Sequence, residues 1–63
     1  VRATVTELIP EFRLVYLETA EGRGLALTAK TAGIDLSSLH VGQVVDCVVT
    51  LVQPRVVEAH TVG

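Results

Sequence analysis

Apolar and polar side chains alternate with a period of two over most of this chain, and the pattern is sharpest between Val44 and Leu51. Val45, Cys47, Val49 and Leu51 fall on one face; Val44, Asp46, Val48 and Thr50 fall on the other. Rich in β-branched residues, this stretch predicts a half-buried strand. Gly42, just before it, supplies the permissive backbone of a turn. Val1 to Ile9 reads the same way, with Val1, Ala3 and Val5 against Arg2, Thr4 and Thr6, until Glu7-Leu8-Ile9-Pro10-Glu11 breaks the period. Pro10 has no backbone donor, so the chain is expected to turn there. Phe12 to Glu18 predicts a second strand with two apolar faces, Phe12, Leu14 and Tyr16 on one and Val15 and Leu17 on the other. Alternation alone does not choose between them, although Phe12 is the better core candidate of the two aromatics.

Ala20-Glu21-Gly22-Arg23-Gly24 reads as a hairpin connection leading into a short third strand over 24–29. Lys30 to Ser38 loses the alternation. Asp35 can cap a single helical turn running to Leu39, with Ile34 and Leu39 plugging one end of the core. After the long fourth strand, Gln53-Pro54 marks a hairpin. Arg55 to Val62 is the fifth strand, with Val57, Ala59 and Thr61 on one face and Val56, Glu58, His60 and Val62 on the other. The expected architecture is all-β: a five-stranded OB-fold barrel with one short helical turn between strands three and four.

Composition narrows the function. A chain of 63 residues allows one domain, spanning 1–63 and expected to belong to a longer protein. Such a domain buries only about 60% of its unfolded surface. Nearly half the residues, 49%, are hydrophobic, and most of these are aliphatic. That excess predicts an exposed aliphatic strip, with Leu14, Val44, Val48 and Val56 as its candidates. Five basic residues against seven acidic give a net charge of −2, without the basic excess of a strong nucleic-acid binder. The single cysteine, Cys47, rules out an internal disulfide and is expected to act as a small buried hydrophobe. No apolar run approaches the roughly 18 residues needed to span a membrane, and a cytoplasmic setting is expected. His40 and His60 are isolated from further ligands, so no metal site or other cofactor is expected. Ser37 and Ser38 lie outside any nucleophile-elbow context, and Gly22-Arg23-Gly24 leads into no helix that could hold a phosphate. No enzyme chemistry is expected.

The frame Ala3-Thr4-Val5-Thr6-Glu7-Leu8-Ile9-Pro10, then Phe12-Arg13-Leu14, Glu21-Gly22, and Leu39-His40-Val41-Gly42-Gln43-Val44-Val45 resembles small OB-fold domains. Bacterial translation initiation factor 1 and S1-type RNA-binding domains are the nearest in look, cold-shock domains a more distant likeness. The resemblance implies single-stranded RNA binding on the outer face of strands one to three, within a translation or RNA-processing protein. Carried over to this chain, Phe12 and Tyr16 become base-stacking candidates and Arg13, Arg23 and Lys30 phosphate contacts. The third strand, Leu25-Ala26-Leu27-Thr28, lacks the histidine or aromatic these families place there, and the cold-shock aromatic motifs are absent. Glu7, Glu11, Glu18 and Glu21 surround the same region and oppose a phosphate backbone. The alternative expectation is a protein-interaction or self-associating module that keeps the barrel, has lost the RNA face, and uses the aliphatic strip.

Overall fold

The computed structural model describes residues 1–50 and 55–62. Five strands form one antiparallel sheet: β1 (Arg2–Ile9), β2 (Leu14–Thr19), β3 (Gly24–Leu27), β4 (Val44–Val49) and β5 (Val56–Thr61). Their spatial order is β3-β2-β1-β4-β5, and the sheet is curled into a half-barrel that resembles an OB-fold topology. The expected helical turn between β3 and β4 is present as a 3-10 turn, Leu36–Ser38. Leu51 and the Gln53-Pro54 hairpin lie outside the described residues.

The barrel is not closed. β3 ends at Leu27, short of the expected Ala29, because the next residues fold into a turn. There Thr31 N–H donates to Thr28 O (3.0 Å), and the Thr31 hydroxyl accepts from Thr28 N–H (3.1 Å). Among the described residues, the gap between the edge strands is crossed by one parallel bridge. Ala32 N–H donates to Val57 O (3.1 Å), and Ala59 N–H donates to Ala32 O (3.0 Å).

The core consists of Ala3, Val5, Val15, Leu17, Leu27, Leu39, Val45, Cys47, Val56 and Ala59. It contains no aromatic ring; aliphatic side chains from all five strands meet inside the curl. Each fully buried Leu or Val contributes roughly 1.5–3 kcal/mol. The inner face of β2 is Val15, Leu17 and Thr19, which resolves the ambiguity of that strand. Burial pushes the Cys47 thiol above its ordinary pKa, as fits a small side chain packed in the core.

Two bulges correct the expected facing. In β1 the register passes from Val5–Leu17 to Glu7–Tyr16, so Thr6 is an extra residue. The period break seen at Glu7 is therefore a bulge within a strand that continues to Ile9. In β5 the register passes from Val48–Glu58 to Val49–Val56, which makes Val57 the extra residue. Val56 consequently turns inward with Ala59 and is buried, so it is not part of an outer strip.

The connector behaves as its residues predict. The Asp35 carboxylate accepts from Ser37 N–H (3.0 Å) and from the Ser37 hydroxyl (2.6 Å). Leu39 is buried and Ile34 packs against the core. Gly42, at φ +93°, donates its N–H to Val5 O (2.8 Å) and so fastens the turn before β4 to β1.

Candidate interaction surfaces

The five residues singled out for RNA contact do not form one platform. Phe12 lies in a 3-10 turn, Pro10–Phe12, rather than in β2. Proline at the first position starts that turn, and Arg13 ends it in the left-handed conformation (φ 50°, ψ 51°), its N–H donating to Pro10 O (3.1 Å). Strand spacing therefore does not apply between Phe12 and Tyr16, and they share no strand face. Phe12 is 77% exposed, so of its two expected roles, base-stacking candidate and better core candidate of the two aromatics, the core one does not hold: the turn carries it away from the sheet. Arg13 and Lys30 stand toward one end of the β2–β3 hairpin, since Val15 pairs with Leu27. Arg23 stands at the other end, beyond the Glu18–Gly24 pair. The six residues of β2 separate the two ends by about 20 Å. Arg13, Arg23 and Lys30 make no ion pair among the described residues.

Tyr16 does lie on the outer face of the sheet, 40% exposed, but among acids. Glu7 is its cross-strand partner on β1, and Glu18 follows two residues along β2 on the same face. The ladder extends this pattern across the sheet. Thr4 stands opposite Glu18 on one side and Val44 on the other, and Val62 N–H reaches Val44 O (3.2 Å). Asp46 stands between Arg2 and His60, and Val48 opposite Glu58. His60 Nε2 lies 2.7 Å from Glu58 Oε1. The outer face thus sets exposed Val44, Val48 and Val62 among four carboxylates, those of Glu7, Glu18, Asp46 and Glu58; against these stand Arg2, Arg55 at the Thr50 end of the β4–β5 pair, and the N-terminal ammonium 3.9 Å from Asp46 Oδ1. Of the four strip candidates, Val44 and Val48 lie on this face, whereas Val56 is core and Leu14 is half-buried. A shallow depression of about 370 Å³ between Arg2, Thr4, Glu18 and Val44 gives the face some relief.

A second concavity lies at the mouth of the half-barrel. This cleft of about 630 Å³ runs between the end of β1, the Pro10–Phe12 turn and the β3–β4 connector. Its walls are aliphatic, from Leu8, Ile9, Leu14, Ile34, Leu36 and Leu39, and Arg13 and Asp35 are its charged residues. The two Ser37 hydrogen bonds, the hydroxyl first and the backbone N–H second, hold the Asp35 carboxyl below its ordinary pKa. Alternation did not foresee this cleft because turns build it. Pro10 followed by Glu11 was the available signal, a proline and an acid in a first helical turn. The acids of β4 and β5 were legible one strand at a time; the register is what gathers them.

Among the described residues, no group of three or more His, Cys, Asp or Glu side chains could hold a metal ion, and no helix is long and apolar enough to cross a membrane. Searches of protein-family models, of curated proteins and of solved structures each return no match to this chain.

Proposed function

We propose that this chain is a non-catalytic protein-binding module whose outer β1–β4–β5 face docks on a partner presenting an apolar patch ringed by lysine or arginine. One observation carries this reading: Val44, Val48 and Val62 are exposed on a face where four carboxylates outnumber the two arginines, Arg2 and Arg55. Valines release water on contact, and the acid ring selects a basic rim and speeds encounter with it. Self-association through the same face is disfavoured, because it brings the carboxylates of two copies together. A phosphate backbone meets the same repulsion there.

RNA binding is the second reading, and a different observation favours it. Phe12 is largely exposed beside Arg13, whose guanidinium has no partner among the described residues, and Lys30 stands near the same end of the hairpin. An exposed ring beside free cations is a sequence-tolerant way to hold a single strand.

One NMR experiment on the isotope-labelled protein separates the two. A short lysine–leucine peptide is expected to shift Thr4, Val44, Asp46 and Val62, and the shifts disappear in the Val44→Lys, Val48→Lys variant, which keeps its fold. An oligouridylate that shifts Phe12, Arg13 and Lys30 at low salt and not at high salt, with a peptide that shifts nothing, moves the function to RNA.

A further inference from the structure

We propose that the mouth of the half-barrel is a second binding site, for a small aliphatic monocarboxylate, with Arg13 as its anchor. This does not rest on the protein-binding reading, since the cleft and the outer valine face share none of the residues that carry either.

The volume, about 630 Å³, falls within the range of small-molecule sites. Ile9, Leu14, Ile34 and Leu36 are only half-buried there, so a hydrocarbon entering the cleft covers apolar wall that water now touches. No aromatic side chain lines it, which favours an aliphatic body over a flat ring. The charges define the other end of the ligand. Arg13 makes no side-chain hydrogen bond or ion pair among the described residues, and its planar fork matches a carboxylate. Asp35 also borders the cleft, but its carboxylate already accepts two bonds from Ser37. Both Ser37 bonds go to Asp35 Oδ1 and come from neutral donors, so Asp35 keeps its charge; with that carboxylate beside one arginine unpaired among the described residues, the cleft suits a monoanion and disfavours a phosphate dianion. The backbone adds an independent mark. Arg13 holds a left-handed conformation that glycine adopts without strain, so this position carries a cation where stability alone favours glycine.

The test is titration of the labelled protein with sodium octanoate and, separately, with 1-octanol and hexyl phosphate. Octanoate is expected to shift Leu8, Leu14, Ile34 and Leu36 and to bind about tenfold more tightly than either of the others. Arg13→Gln is expected to abolish that preference for octanoate over octanol. Arg13→Gly is expected to lose the same preference while its melting temperature rises, which separates ligand binding from folding. Equal binding of octanol and octanoate, an unchanged preference in Arg13→Gln, or tighter binding of hexyl phosphate overturns the proposal. So does a short peptide ending in leucine that binds where octanoate does not, which assigns the cleft to a protein tail instead.

Discussion

The outer face of the sheet and the mouth of the half-barrel are both open to solvent, yet opposite rules built them. On the outer face, register decides which residues meet: Thr4 lies beside Val44 and Glu18 because three strands pair there, and each strand contributes every second residue. At the mouth no ladder operates. Two 3-10 turns, one opened by Pro10 and one capped by Asp35, bring Arg13 and Leu36 to the same cleft from positions 23 residues apart. The face offers valines among acids and the mouth offers aliphatic walls with an arginine unpaired among the described residues, so the two regions suit different ligands.

The harshest way to break the comparison is to remove what both regions stand on. Leu27 is completely buried at the end of β3. Leu27→Ala is expected to cost about 2–5 kcal/mol, a large share of the stability of a domain this small. Urea denaturation followed by circular dichroism should show the midpoint collapse, with outer face and mouth lost together. A mild effect would mean that the core repacks around the gap.

A smaller change should separate the regions. Gly33 sits at φ +82°, and a Cβ there would lie 2.7 Å from His60 Cε1 and 3.0 Å from Ala59 O. The neighbouring residue, Ala32, makes the bridge to β5. Gly33→Ala is therefore expected to cost roughly 1–3 kcal/mol through backbone strain and displacement of the His60 ring. Its amide shifts should concentrate at Ala32, Ile34, Leu36 and His60 and spare Tyr16 and Glu18. Equal disturbance of β1 and β2 would show that the connector and the sheet form one rigid unit.

How far each region was legible follows from the same contrast. The inner residues Ala3, Val5, Val45 and Cys47 could be read because alternation in a half-buried strand is a local signal. The Asp35 cap and the Gly42 turn were equally local. Val56 was misplaced because Val56-Val57 offers two apolar neighbours, and only pairing with Val48 and Val49 decides which one is the bulge. Thr6-Glu7, two polar residues between inward-facing Val5 and Leu8, was a readable sign of the first bulge. Phe12 was misplaced because its residue type suits a strand, while Pro10 two positions earlier commits the chain to a turn. The candidate sites suffered most, since the acid-ringed face depends on register and the cleft on turn geometry.

Asp35 tests the mouth by pH. Its carboxyl is held below the ordinary value in the folded chain, by the Ser37 hydroxyl first and the Ser37 N–H second. A depressed folded pKa means that the ionised form favours folding. The contribution is complete above the unfolded pKa and disappears as the pH falls through the lower folded one. Asp35→Ala should thus lower the melting temperature slightly at pH 7, and the gap from wild type should close as the pH is taken toward 3. A gap that stays constant would show that the capping bonds do not depend on the charge.

The smallest effect has the opposite sign. A left-handed conformation costs a side-chain-bearing residue about 1–2 kcal/mol, and glycine returns part of that gain through the entropy of the unfolded chain. For Arg13 the net gain on substitution by glycine is about 0.5 kcal/mol, visible as a slightly higher melting temperature. Arg13→Ala keeps the Cβ and so should show no such gain, while losing the same guanidinium. The two variants therefore separate backbone from charge: both should lose the preference for a carboxylate ligand at the mouth, and neither should alter binding at the outer valine face. If Arg13→Ala is as stable as Arg13→Gly, the left-handed turn carries no strain, and the cation sits at the cleft without cost to the fold.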